Sequence, residues 1–390
     1  MQVELKKPSA LTTAEREAWR AFTDADPALG SPYFTYEFSE CCEEARSDTR
    51  VLVMRDAGAI KAFLPIQTGH FGYARPLAGP LGDVQGVIAE PDWPVDLAAA
   101  LKAAHIPVFD FHAALASQPA FREHTDSTEG SWMIDLSDGF DAWYENRKSV
   151  EAKAMRNVRT RYNRLEKISD DHAFVMADNR PEALEAMIAW KRAQYAETGV
   201  FDVFSVAWTR RLLQAVLKRE SDHFSGMCST LQIDGKIAAV HVGMSSHRQC
   251  QFWFPAFDRD YNQVSPGLLM LVETARTCAS LGLSAIELGP GDFRFKKDLS
   301  SYQIGIAAGH FSNPSVMGLL RDGSAALVRR LDGEPQSALS RLTGKAMRKI
   351  DRLAGFYAAS PGFETTSTKK PAGAIPRPAF SSSVPTLSGY

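Results

Sequence analysis

Two periodicities alternate along the chain. Apolar positions recur at helical steps over Thr12 to Ala21, Tyr36 to Ala45, Val95 to Ala104, Pro181 to Glu197 and Val206 to Arg219. The clearest case begins at Pro266. There Leu268, Leu269, Leu271, Val272, Ala275 and Ala279 mark one face, and Gly282 stands where a left-handed stop is expected. Short apolar runs between the helices predict strands at Val108 to Phe111, Ala173 to Ala177, Gln249 to Phe257 and Ala285 to Leu288. Two hairpins complete the pattern. One joins Arg50 to Met54 with Ile60 to Pro65 through Asp56-Ala57-Gly58, and the other spans Met227 to Ser245 through Asp234-Gly235, a strong two-residue turn signal. The mixture of hairpins with strand–helix–strand units predicts an α/β (α+β) fold with mixed central sheets.

The two hairpins also resemble each other. VLVMRDAGAIKAFLPI and STLQIDGKIAAVHVGM share a strand, an Asp with Gly at the turn, an Ile, an Ala and a second apolar strand. With 390 residues there is length for two such domains, each with its own core. The expected division is residues 1–135, residues 136–314, a basic helical extension over 315–357, and a tail over 358–390. That tail is rich in Ser, Thr, Pro, Ala and Gly with little to bury, and is expected to be disordered.

Charge matters locally rather than globally. The formal net charge is −2, so no DNA partner is expected. Yet between Asn146 and Ile168 the cations Arg147, Lys148, Lys153, Arg156, Arg159, Arg161, Arg164 and Lys167 face only Glu151 and Glu166. Val150, Ala154, Val158, Tyr162 and Leu165 keep helical spacing through the same stretch, which predicts a basic amphipathic helix. Such a face is either simply solvated or attracts an anion such as a nucleotide, a lipid phosphate or RNA. A second basic helix is expected at Ser337 to Phe356, where a cyclic dinucleotide or an anionic membrane surface is the expected partner. No apolar stretch has signal-peptide or membrane-span length, so the expected location is the cytoplasm, with peripheral contact to the inner membrane. The 5 cysteines form no C-x-x-C pair and H-E-x-x-H is absent, so free thiols and no metal are expected, with Cys278 in the core.

Candidate chemistry gathers near the Pro266 helix. Ser265 is placed as its N-cap, Pro266 in its first turn, and Gly267 where a phosphate could approach backbone N–H groups. Neither G-x-G-x-x-G between strand and helix nor G-x-x-x-x-G-K-[ST] occurs, since Gly289 and Gly291 lie after the following strand. A dinucleotide-binding fold is therefore rejected.

The order of elements from Arg147 onward resembles the GNAT N-acetyltransferase fold. More narrowly it is similar to the acetyltransferase family associated with cellulose and exopolysaccharide biosynthesis, itself related to the Fem peptidoglycan aminoacyltransferases. The likeness rests on MRNVRTRYNRLEK, IDGKIAAVHVG, YNQVSPGLLM and the Gly291 to Lys296 stretch, covering about residues 145–300 with a fainter echo upstream. It implies acetyl-CoA as donor, held by Phe257, Gln263, Ser265, Gly267 and Leu268. It implies as acceptor a sugar or sugar nucleotide destined for an extracellular polysaccharide, held by Asp292, Lys296, Arg156 and Arg159. QVSPGLL carries one residue more between Gln263 and Gly267 than the usual pyrophosphate signature, which leaves aminoacyl-tRNA open as the donor. A non-catalytic protein that binds a cyclic dinucleotide through its basic helices is the third reading. For acyl transfer a base is needed near the acceptor. Glu287, between Ile286 and Leu288, is expected to have a raised pKa and is the first candidate; His241 is the second.

Overall fold

The computed structural model describes residues 1–333. The expected helix at Ser337 to Phe356 and the 358–390 tail lie outside the described residues. No described helix is long and apolar enough to cross a membrane.

The strands are β1 (Gln2–Lys6), β2 (Thr49–Asp56), β3 (Ala59–Thr68), β4 (Tyr73–Pro76), β5 (Ile88–Ala89), β6 (Val108–Leu115) and β7 (Thr125–Asp135) in the first half. The second half supplies β8 (His172–Val175), β9 (Glu220–Ser221), β10 (Phe224–Ile233), β11 (Lys236–Ser246), β12 (Gln249–Phe257), β13 (Ala285–Pro290) and β14 (Tyr302–Ser312). The helices are α1 (Thr13–Ala25), α2 (Tyr36–Ala45), α3 (Leu97–Ala103), α4 (Gly139–Val150), α5 (Ala152–Ile168), α6 (Pro181–Thr198), α7 (Ala207–Lys218), α8 (Pro266–Ser280), α9 (Arg294–Leu299) and α10 (Val316–Gly333).

All the described strands belong to one sheet, ordered β1-β2-β3-β4-β6-β14-β7-β13-β12-β11-β10-β8, with β5 on β3 and β9 on β10. This order is palindromic. Each half runs from its edge through a hairpin to a single parallel pair, β4 with β6 in the first half and β12 with β13 in the second. At the centre the halves exchange their last strands. β7, which ends the first half, pairs with β13, while β14, which ends the second, pairs with β6. The two exchanged strands pair with each other from Tyr302↔Met133 to Gly309↔Thr125. The likeness of the two hairpins thus reflects a repeated unit, and the halves share one continuous mixed sheet.

Both hairpin turns follow their chemistry. Ala57 and Gly58 take φ of 46° and 84°, and Asp234 and Gly235 take 50° and 72°, the positive values that a tight two-residue turn requires. Alternation then sorts side chains to two faces. Val51, Val53, Phe63, Val240 and Val242 join one cluster with α1, α2, α6 and α7, continuous across both halves. On the other face Leu52, Met54 and Leu64 pack beneath α3, while Ala239, Phe252, Ile286 and Leu288 pack beneath α4, α5 and α8. Along α8, Leu269, Met270, Leu271, Val272, Ala275 and Cys278 are at most 1% exposed, so truncating one of its large residues to Ala is expected to lose about 2–5 kcal/mol.

One expected helix divides. The chain breaks at Glu151 (φ −122°, ψ 50°), separating α4 from α5. Arg147 turns inward to the carbonyl of Ser300, and Val150 is 59% exposed rather than part of the buried stripe. On α5, Met155, Val158 and Leu165 are the buried residues, so its cations remain on the outer face.

Candidate active site

The parallel pairing of β12 with β13 lasts only from Gln249↔Ala285 to Gln251↔Glu287. Beyond it β12 stays with β11 as far as Phe257, whereas β13 turns away through Gly289 (φ 76°) and Gly291 (φ 106°). Glu287 stands at the point of parting. Its neighbours Ile286 and Leu288 enter the core under α8, so its own side chain faces the opposite side of the sheet, where the first half arrives.

That side is polar and comes from both halves. Ser31 Oγ donates to Glu287 Oε2 at 3.0 Å and Ser131 Oγ donates to Oε1 at 3.4 Å. Asp83, in the loop after β4, accepts a hydrogen bond from Gln251 Nε2 at 2.7 Å. Its carboxylate lies so close to Gly289 that a Cβ there would sit 2.8 Å from Oδ2, which together with the positive φ admits only glycine. The loop is fixed by Tyr33 and Trp253, whose O–H and N–H both donate to the Leu81 carbonyl at 3.0 Å. Lys296, on α9, donates to the carbonyls of Gly289 and Pro290 at 3.2 and 2.6 Å and so holds the turn that ends β13. Gln251 Oε1 is buried with no hydrogen-bond partner among the described residues.

The electrostatics follow from enclosure. Burial, reinforced by the Asp83 carboxylate, pushes Glu287 up to about 8, against the opposing pull of Ser31, Ser131 and Lys296. Burial also raises Asp83 to about 6, with Lys296 and Gln251 working against it. Lys296 is lowered by burial despite the three carboxylates of Asp83, Glu287 and Glu129. Lys191, on α6, is lowered to about 8 by burial and by the charge of Lys296. Two carboxyls with separated affinities for a proton, facing an unpaired acceptor oxygen, can take a proton from a bound N–H donor.

His241 is not part of this arrangement. It lies on β11 with its ring stacked on Phe252 at 4.2 Å, fully buried on the face opposite Glu287. Neither ring nitrogen makes a well-aligned hydrogen bond among the described residues, and burial lowers its pKa to about 3 against the pull of the Gln251 backbone. Asp292 is exposed and paired with Lys297 at 2.5 Å.

The expected donor residues do come together, with one correction. Ser265 does not cap α8: it takes φ 50°, ψ 62°, its side chain makes no cap hydrogen bond, and its carbonyl instead accepts the N–H of Leu268 at 2.9 Å. The tight 3-10 turn Arg259–Val264 forces this left-handed step, whereas a capping side chain needs an extended backbone. Phe257 and Gly267 are neighbours, since a Cβ at 267 would meet only the Phe257 ring, at 3.2 Å. Leu268 is half-buried beside them. The Gln263 carbonyl accepts from Arg161 at 2.7 Å and from Arg164 at 3.3 Å, which lays α5 along the start of α8. Arg156 and Arg159 are exposed on the same helix. A helix start flanked by a row of cations is suited to phosphate groups.

Residues 152–297 match the acetyltransferase (GNAT) domain family. No curated protein matches the chain. Among solved structures, FemX aligns with a TM-score of 0.56 at 9% identity, over 82% of this chain and 99% of that one. A domain of a putative lysylphosphatidylglycerol synthetase from Agrobacterium fabrum aligns at 0.48 and 13% identity, over 80% and 96% of the two chains. A tandem GNAT protein from the clavulanic acid biosynthesis pathway aligns at 0.46 and 12%, over 80% and 100%. Residues 152–297 are thus similar to a GNAT acetyltransferase domain, and the α/β fold is similar to that of FemX.

Proposed function

We propose that the protein is an acyltransferase that moves an acyl group from an activated donor at the start of α8 to an amine held between Glu287, Asp83 and Gln251. The observation that carries this reading is Glu287 itself, fully buried where two parallel strands part and shifted to about 8. A carboxyl in that range can remove a proton from an amine near neutral pH. The amine nitrogen bonds to the carbonyl carbon of the donor as Glu287 takes its proton. The bond from that carbon to the donor's leaving sulfur or oxygen then breaks, and the leaving group accepts a proton. The unpaired Oε1 of Gln251 supports an acceptor that brings an N–H to the site.

Acetyl-CoA is the proposed donor and an amino sugar or sugar nucleotide for an extracellular polysaccharide the proposed acceptor, both supported by the family resemblance. A second reading, aminoacyl-tRNA as donor, is favoured by the exposed cations of α5 beside α8 and by the likeness of the fold to FemX. The test is to incubate the purified protein with acetyl-CoA and a panel of amino sugars, and separately with charged tRNA, following thiol release or loss of the aminoacyl group. Turnover with one donor, lost in Glu287→Gln, supports the reading. No turnover with either donor, together with tight binding of a cyclic dinucleotide, would make the protein a non-catalytic effector.

A further inference from the structure

A second cluster with ligand chemistry lies away from Glu287, where α1 of the first half meets two hairpin ends of the second. Asp24 is in the last turn of α1, His223 in the turn between β9 and β10, and His247 in the turn between β11 and β12. One donor atom from each lies within 4.8 Å of the other two. His247 Nε2 is 3.2 Å from Asp24 Oδ1, and the two imidazole rings stand 5.3 Å apart at 85°.

The backbones beneath these side chains are fixed. Ser246 Oγ donates to the Gly30 carbonyl at 2.6 Å, and the Arg248 guanidinium donates to the carbonyls of Thr23 and Asp24 at 3.3 and 2.5 Å. The His223 N–H donates to Ser221 Oγ at 3.2 Å, and Ser221 Oγ donates to Glu37 Oε1 at 3.1 Å. Of the three donor side chains, Asp24 and His247 are exposed and His223 is half-buried.

We propose that Asp24, His223 and His247 form a divalent metal site, with zinc the best match, that ties the first half of the chain to the second. Two imidazoles and a carboxylate suit Zn2+, with bonds of about 2.0–2.2 Å, so adjacent donor atoms in a tetrahedral site lie roughly 3.3 Å apart. The His247–Asp24 separation already has that value, and small side-chain rotations bring in His223. Water completes the coordination. Arg248, bonded to the Asp24 carbonyl, is the facing cation; it limits the affinity and disfavours a site built on charge alone. The absence of metal-ligand spacing in the sequence does not bear on such a site, because its ligands come from three distant segments.

The test uses the full chain, stripped with a chelator and titrated with ZnCl2 by calorimetry. One ion per chain with a Kd in the micromolar range or tighter is expected, with a rise in Tm. His223→Ala and Asp24→Asn should each weaken binding at least tenfold while leaving the metal-free Tm near that of the wild type. Absence of binding, or the same stoichiometry and affinity in the His223→Ala/His247→Ala double variant, overturns the proposal.

Discussion

Replacing Glu287 by Gln keeps the shape of the side chain and leaves groups that Ser31 and Ser131 can still bond, but removes both the charge and the basic oxygen. Its effect on stability is opposite in sign to its effect on catalysis. In the wild type the folded carboxyl keeps its proton to about 8, while the unfolded chain releases it near 4.5. Between those values the folded state binds more protons, so wild-type stability falls as the pH rises. At 1.36 kcal/mol per pH unit the loss amounts to on the order of 5 kcal/mol by pH 8. Glu287→Gln has no such loss. Urea unfolding across pH 5–9 should therefore show similar stability for the two proteins near pH 5 and an advantage for the variant that widens to pH 8. Turnover should meanwhile fall by about two to four orders of magnitude, the range expected on removing a general base. Parallel stability curves would show that Glu287 titrates normally, and unchanged turnover would show that it is not the base.

His241→Leu removes two buried ring nitrogens that make no well-aligned hydrogen bond among the described residues, and it should keep near-normal turnover with equal or greater stability. The folded wild type holds this imidazole neutral down to about 3 while the unfolded chain binds a proton below 6.5, so wild-type stability drops on acidification through that window; calorimetric scans should show the variant resisting it. Gly267→Asp places a carboxylate at the start of α8, where only Phe257 is near, so donor binding measured by calorimetry should vanish with little change in Tm. Reversing Arg156 and Arg159 to Glu should weaken binding of a polyphosphate donor and reduce the salt dependence of its affinity, and equal affinity at all salt concentrations would remove α5 from the donor site.

What the sequence made legible was local. Hairpins with Asp-Gly-type turns, the apolar stripe of α8 and the strand holding Glu287 all carry their signals within a few residues of themselves. The basic stretch was legible as cationic, but its break at Glu151 depends on Arg147 reaching Ser300 across the fold. β7 and β14 escaped notice because TDSTEGSWMID is mostly polar and exposed and YQIGIAAGHFS is diluted by glycine, so neither shows clean alternation; each is made a strand by the partner it exchanges. The same distance explains the missing members of the site. Asp83 lies in RPLAGPLGDVQG, a run that reads as loop, and Ser31, Ser131 and Gln251 carry no motif. They meet Glu287 only because the repeat folds back on itself. Ser265 failed for a different reason: residue type and position suited a cap, but the preceding turn fixed its backbone in the left-handed region.

The claim that the site is built jointly by the two halves is tested most directly by the pH–rate profile of Asp83→Asn, using whichever donor and acceptor the wild type turns over. Asp83 carries a charge above about 6 and helps to hold Glu287 near 8, so kcat/KM of the wild type should rise with pH along a limb centred near the latter value. Removing the neighbouring charge lets Glu287 ionise more readily, and the limb should move to lower pH by roughly one unit. A limb that stays where it was, with undiminished turnover, would mean that Asp83 does not act on Glu287 and would contradict the joint site.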